Sequence, residues 1–331
     1  MKFRTLGSSS LEVSVLAFGA WQLGDWAYWG DYPEADEQGA IDAAIDAGIN
    51  LFDTAEGYGG GASEEALGKC LGAKRGEVFI ASKVSPNHCA PADLRASCEA
   101  SLLRLGTDMI DLYQVHWPFR HVPVADVCGE LARLRDEGKI REIGVSNFGP
   151  KDLAAWMRCG ACVSNQLGYN MLFRGIEFET VDACRRHNVG ILAYMPLLQG
   201  ILSGRWKTVD EVPPNRRRTR HFAGHRENVR HGEPGCETLT FEVLAGIRTV
   251  AEDLGQPMAS VALAWVMAQP QVASVIVGAR RPGQLERNLG AVDLDLGDAV
   301  IARLNKVTGP LKEALGRNCD MWQPASQSRI Q

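Results

Sequence analysis

Several features are missing from this sequence. Nowhere do about 18 apolar residues run together without a charge, so no segment reads as a membrane-spanning helix. Residues 1–13 hold no apolar block of the kind an export signal needs, and a secreted protein is not expected. Positive charge is not in excess: 35 Lys and Arg stand against 40 Asp and Glu, a formal net charge of −5. Neither nucleic acid nor an anionic membrane surface is therefore an expected partner. There is no low-complexity linker, which argues for a single domain over residues 1–331. The nine cysteines are scattered and odd in number, a pattern expected of reduced thiols in the cytoplasm. One pair, Cys159 and Cys162, has CxxC spacing. It lacks a second pair or a nearby His pair, so it reads as incidental, and no metal site is expected.

What is present is a repeated unit: a short apolar run rich in β-branched residues, a loop, then an amphipathic helix. The runs fall at 15–18, 49–52, 78–81, 109–115, 143–145, 162–165, 190–193 and 274–277. Most are apolar throughout rather than alternating, as strands buried on both faces should be. Helical periodicity occupies 34–47, 63–71, 91–105, 125–137, 150–157, 178–187, 239–254, 258–269 and 282–289. The second of these opens on Ser63 with acids in its first turn, a helix-start signal. Eight strand–helix units predict an α/β fold, a closed (β/α)8 TIM barrel, for which about 250 residues suffice. The surplus lies in an N-terminal hairpin (2–14), an aromatic insertion (21–36), a long loop (196–238) and a tail (310–331).

The most informative stretch is LFDTAEGYGGGASEEALG at 51–68. A strand ends at Asp53, a glycine-rich loop displays Tyr58, and a helix follows. The next two strands end at Lys83 and at His116. Strand ends and the loops after them are where β/α barrels build active sites. Singly, these residues read as a turn former, a loop anchor, a solvated cation and a core imidazole. Together they form a chemical set: a phenol, a cation to lower its pKa, a carboxylate to hold the cation, and an imidazole to orient an oxygen. An ammonium about 4 Å from a phenol is worth up to about 4 kcal/mol at an effective dielectric of about 20, enough to draw its pKa from about 10 toward neutrality. Arg280 and Arg281 follow the last strand, where cations oppose the helix dipole unless an anionic ligand such as a phosphate relieves the conflict.

DTAEGYGGGASEEALG, the strand-end Lys83, QVHWP, GVSNF and NQLGYN resemble the aldo-keto reductases, over residues 3–308 and in the family's order. The likeness is to a bacterial branch that includes inositol- and sugar-related dehydrogenases. It implies Tyr58 as general acid, Lys83 lowering its pKa, Asp53 paired with Lys83, and His116 on the substrate carbonyl. It implies that Ser146, Asn147 and Gln166 bind the nicotinamide carboxamide and that Tyr194 stacks on the ring. Pro196, Leu197, Gly200, Leu202 and Gly204 would wrap the pyrophosphate; Gly278, Arg280, Gln284 and Asn288 would hold the adenosine end. Residue 195 departs from the family's usual Ser and is Met, so no cofactor bond is expected there. The implied cofactor is NADP(H), with Arg280 on the 2′-phosphate. Trp21, Trp26, Trp29, Trp117 and Trp322 are the candidate substrate contacts, with Asp320 beside Trp322 accepting from a hydroxylated substrate. The expected partner is a small carbonyl or sugar.

Two other functions stay open: NAD-dependent oxidation of a polyol, inositol or sugar, and a cofactor-binding regulatory subunit on the same barrel. Substrate, direction and oligomeric state are not legible. A Rossmann domain is excluded, although 57–62 fits GxGxxA. The strand after that loop ends in Lys83 rather than in the acid that would hold a ribose.

Overall fold

The computed structural model describes residues 1–24, 29–30 and 33–331. Two short strands, β1 (Phe3–Thr5) and β2 (Glu12–Ser14), form an antiparallel hairpin. Eight more close a parallel barrel: β3 (Leu16–Gly19), β4 (Leu51–Asp53), β5 (Phe79–Val84), β6 (Ile110–Val115), β7 (Ile140–Ser146), β8 (Ser164–Gly168), β9 (Gly190–Tyr194) and β10 (Val272–Gly278). β10 pairs with both β9 and β3, so no sheet edge is left. Each expected run lies on one of these strands, with ends displaced by up to three residues. Around them, among the described residues, stand α1 (Glu34–Asp46), α2 (Ala62–Leu71), α3 (Pro91–Leu105), α4 (Val124–Asp136), α5 (Pro150–Met157), α6 (Thr180–Arg186), α7 (Glu237–Asp253), α8 (Met258–Met267), α9 (Pro282–Leu289) and α10 (Gly297–Leu315). The TIM-barrel architecture is thus the observed one.

Two apolar cores result. One lies between strands and helices. The other fills the barrel, where Ala17, Leu51, Ala81, Leu112 and Leu192 meet Leu6, Leu11 and Val13 of the hairpin. The hairpin therefore plugs the N-terminal end and leaves the opposite end for chemistry. Gly7 makes this closure possible. Its φ is +55°, and a Cβ there would lie 2.1 Å from the Val163 carbonyl oxygen.

Two local expectations are corrected. Ser63 is not the cap of α2: the helix starts at Ala62, and Ser63 Oγ donates to the Ala20 carbonyl (2.6 Å), tying the helix to the loop after β3. The tail does not start at 310, because α10 runs through Pro310 to Leu315. Pro310 lies on the exposed side of that helix, as does Lys306, whose carbonyl loses the amide donor that proline lacks.

Glu64, the third residue of the same helix, is fully buried. It accepts from Ser82 Oγ of β5 and from Arg104 Nε of α3 (2.7 Å), so one carboxylate joins two helices to a strand. Arg104→Met strands that carboxylate. It is expected to cost about 3 kcal/mol of unfolding free energy, with Glu64→Gln added to Arg104→Met recovering part of the loss. Urea unfolding of the two variants checks both values.

Candidate active site

Parallel pairing sets Gly19 beside Asp53, Lys83 beside Gln114, and Ser146 beside Gln166. This register collects polar side chains at the C-terminal rim of a barrel that is apolar below. Lys83 is fully buried and Asp53 nearly so. The Lys83 ammonium donates to Asp53 Oδ1 (2.7 Å), to the Thr54 carbonyl (2.8 Å) and to the Tyr58 hydroxyl (3.2 Å). All three of its protons are used. Asp53 Oδ2 accepts from Gln166 Nε2 at 2.7 Å and, more weakly, from Gln114 at 3.5 Å. Burial acts to lower the Lys83 pKa, but Asp53 and Tyr58 reverse this, and the net shift is upward. Lys83 is therefore a fixed cation.

Tyr58 opens a single 3-10 turn whose next three residues, Gly59, Gly60 and Gly61, all have positive φ (58°, 65° and 104°). Three successive left-handed residues reverse the chain within one turn, which side chains with a Cβ would resist. The phenol is thereby aimed back at Lys83. The expectation of a phenol near neutrality is corrected here. Burial raises the Tyr58 pKa, Lys83 offsets only part of that, and Asp53 adds to the rise. Desolvation outweighs the attraction of Lys83, whose charge Asp53 partly neutralises. In this state Tyr58 keeps its proton at neutral pH.

His116 follows β6, its N–H bound to the Val84 carbonyl (2.9 Å), and its ring meets Tyr58 edge-on with centroids 5.6 Å apart. Burial, then the charges of Lys83 and Arg329, hold its pKa well below the ordinary range. The imidazole is neutral and can donate one N–H to an oxygen. Beside it, Asn147 Nδ2 donates to the His116 carbonyl (3.1 Å), Ser146 Oγ donates to the Gln166 carbonyl (2.9 Å), and Tyr194 donates to Asn147 Oδ1 (2.8 Å). Asn147 has φ +62°, and Met195, Leu198 and Gln199 are also left-handed. Backbone strain thus gathers at the barrel mouth.

A cavity of about 970 Å³ opens over this rim. Its wall contains Asp53, Tyr58, His116, Ser146, Asn147, Gln166, Tyr194, Pro196, Leu197, Gly200, Gly278, Arg280 and Gln284, and also Trp21, Trp29, Trp117 and Trp322. Lys83 sits behind Tyr58, out of the cavity. Three expected cofactor contacts are not in the wall. Leu202 is packed into the apolar core, Gly204 ends the turn behind it against Met258, and Asn288 is buried deeper in α9. Trp26 lies outside the described residues. The Arg280 amide donates to Gln284 Oε1 (2.8 Å), and its guanidinium donates to the Trp29 carbonyl (2.6 Å). Arg281 instead pairs with Asp36 at the surface.

Asp320 is also corrected. Both its oxygens are engaged by Arg329, and Oδ1 also accepts from the Trp322 amide, so it is not offered to a substrate. The sequence reading missed Arg329, Gln22 and Arg205, all of which line the cavity. None sits in a motif, and only the folded chain brings them to the rim. Among the described residues, no three His, Cys, Asp or Glu side chains group as they would around a metal ion.

The donor set fits a nicotinamide dinucleotide. Arginines 205, 216, 218 and 280 line the outer cavity, as diphosphate and ribose phosphate require, while short amide and hydroxyl groups lie beside His116 and Tyr58. Residues 15–308 match the Aldo/keto reductase family. The NADH-specific methylglyoxal reductase of Escherichia coli strain K12 is 30% identical over 325 residues, covering 90% of this chain and 96% of its own. A glycerol dehydrogenase from Gluconobacter oxydans has a similar structure, with a TM-score of 0.81 and 28% identity over 93% of this chain and 95% of its own. An aldo/keto reductase from Klebsiella pneumoniae, solved with NADP and acetate, gives 0.74 and 29% over 93% and 96%. The chain belongs to the aldo/keto reductase family, the NAD(P)(H)-dependent oxidoreductases that act on carbonyl and hydroxyl carbons.

Proposed function

We propose that this protein reduces the carbonyl group of a small aldehyde, ketone or sugar with NADPH. The observation that carries the reading is the single buried ammonium shared by Asp53 and Tyr58 beside a neutral His116. When bound, the reduced nicotinamide supplies a hydride to the carbonyl carbon, and the oxygen needs one proton. His116 orients that oxygen with an N–H, and Tyr58 donates the proton. Lys83 stabilises the phenolate that is left, because its own charge is fixed by Asp53. Ser146, Asn147 and Gln166 suit a carboxamide, Tyr194 an aromatic ring, and Gly278, Arg280 and Gln284 an adenosine phosphate. The complete set of four residues argues against a purely regulatory subunit. Nine unpaired thiols support a reducing compartment such as the cytoplasm.

Four outcomes test this reading. Tyr58→Phe removes only the proton donor, so kcat with 4-nitrobenzaldehyde should fall at least about 100-fold while the NADPH Kd and the melting temperature hold. Retention of more than roughly a tenth of kcat would refute the general acid, since donors contribute more than that.

The pH profile follows from the signs of the two shifts. His116 is lowered, so it gains a proton only well below about 6.5; Tyr58 is raised, so it loses one only above about 10. Stopped-flow reduction rates should therefore be flat across neutrality and fall only on the alkaline side. An inflection near 6.5 would contradict a neutral His116. Lys83→Met should abolish reduction and, by stranding Asp53, cost about 3–5 kcal/mol of stability.

For the cofactor, Arg280→Ala should raise KM for NADPH roughly 10- to 100-fold with little change for NADH, the range of a charge-assisted contact. Equal wild-type Kd values for NADPH and NADH would overturn the preference.

A further inference from the structure

Arg329 is a cation of the cavity wall that the reaction as proposed does not use. Arg329 lies in the segment after α10, and its guanidinium sits flat on Trp117, with Cζ 3.5 Å from the ring centroid and 5.8 Å from that of Trp322. Trp117 is the residue next to His116. Nε and Nη2 of Arg329 donate to Asp320 Oδ2 and Oδ1 (2.7 and 2.8 Å), a bidentate pair. The two partners are unequally placed: Asp320 is fully buried, while the Arg329 side chain is 38% exposed and lines the cavity. The cavity therefore meets the cationic end of the pair. Among the described residues, Nη1 has no hydrogen-bond partner.

The guanidinium is also held from both sides along the chain. Asp320 is locked by the amides of Trp322 and Arg329. Beyond Arg329, the Gln331 amide donates to Asp152 Oδ2 (2.8 Å), and its carbonyl accepts from the amides of Lys151 and Asp152 at the start of α5 (2.9 and 3.1 Å). A segment fastened at two points presents Arg329 at little entropic cost on binding. Its charge also reaches His116, which puts it within electrostatic range of the reacting carbonyl.

We propose that Arg329 is a specificity residue that binds a carboxylate on the substrate, so that the preferred substrate is a carbonyl compound with an acid group about one ring or a short carbon chain from the reacting carbon. This rests on the carbonyl-reducing reading above, which sets where the reacting carbon lies. Arg suits this task because its planar fork matches a carboxylate and its face stacks on indole. Trp117 and Trp322 flank the path between the two ends and would contact the linking atoms.

The test compares 4-carboxybenzaldehyde with 4-nitrobenzaldehyde, planar substrates of near-equal size that differ in charge, using the full chain and NADPH. In the wild type, kcat/KM should favour the carboxylate, and the preference should shrink as salt rises. Arg329→Leu should lower the ratio of the two kcat/KM values roughly 10- to 100-fold, chiefly through KM. Arg329→Leu strands the buried Asp320, so a second variant, Asp320→Asn with Arg329→Gln, keeps a hydrogen-bonded but neutral pair and should lower the ratio as much. A ratio unchanged in both variants overturns the assignment and leaves the carbonyl reading standing. If neither aldehyde turns over, the carbonyl reading fails instead. Calorimetric binding of 4-carboxybenzyl alcohol against 4-nitrobenzyl alcohol to the NADP complex then decides the acid site. Tighter binding of the carboxylate that depends on Arg329 supports it, and equal binding overturns it.

Discussion

The buried pair between Lys83 and Asp53 is the constraint on which the site turns. Neither charge would tolerate this depth alone, and each is neutralised only because neighbouring strands bring the other within 2.7 Å. A buried pair of this kind adds little net stability. What it supplies is position. Three donors leave the ammonium in fixed directions, and one of them ends on the Tyr58 hydroxyl. The same carboxylate then gathers the amides of Gln166 and Gln114 from across the barrel. A polar layer is thus built on an apolar plug. The low polarity that makes the layer costly also strengthens the field that Lys83 exerts on the Tyr58 hydroxyl.

The electrostatic balance differs from what pairwise charge alone suggests. Desolvation raises the phenol and lowers the imidazole, and both shifts keep neutral groups neutral at ordinary pH. Tyr58 and His116 thus present a neutral phenol and a neutral imidazole to the cavity, their ring centroids 5.6 Å apart. Strain is concentrated at the same rim. Asn147, Met195, Leu198 and Gln199 hold left-handed backbone that only their surroundings enforce. Asn147 shows how: its side chain is held by the His116 carbonyl, Ser146 and Tyr194 together.

The outer wall is assembled from segments far apart in the chain. Trp29 of the aromatic insertion carries Arg216 of the long loop over its ring, 4.2 Å from the centroid. Arg220, in the same loop, reaches the carbonyls of Leu315 and Asn318 and binds Glu233. Arg220 therefore serves to moor the tail, whereas Arg216 faces the cavity. Two arginines four residues apart have different duties, and nothing in their local sequence separates them.

The sequence by itself determined the barrel and the four polar groups that gather on one of its faces. Strands buried on both faces must be apolar throughout, and helices that cover them must be amphipathic, so both periods are written locally. Asp53, Tyr58, Lys83 and His116 were legible because each stands at or just after the end of such a run, and parallel strands align their ends on one face. Three glycines after Tyr58 were legible as a turn for the same local reason. Tertiary structure alone decided the rest. Whether Ser63 caps its helix or ties it to the Ala20 carbonyl depends on which loop lies alongside. Whether Pro310 breaks α10 depends on which side of the helix faces water. Whether Tyr58 titrates low or high depends on how much water the fold removes. That Asp320 serves Arg329, and that Arg329 lies beside His116, depends on a chain segment returning across the barrel mouth. Contacts between residues distant along the chain leave no period in the sequence, because the geometry that creates them exists only once the barrel has closed.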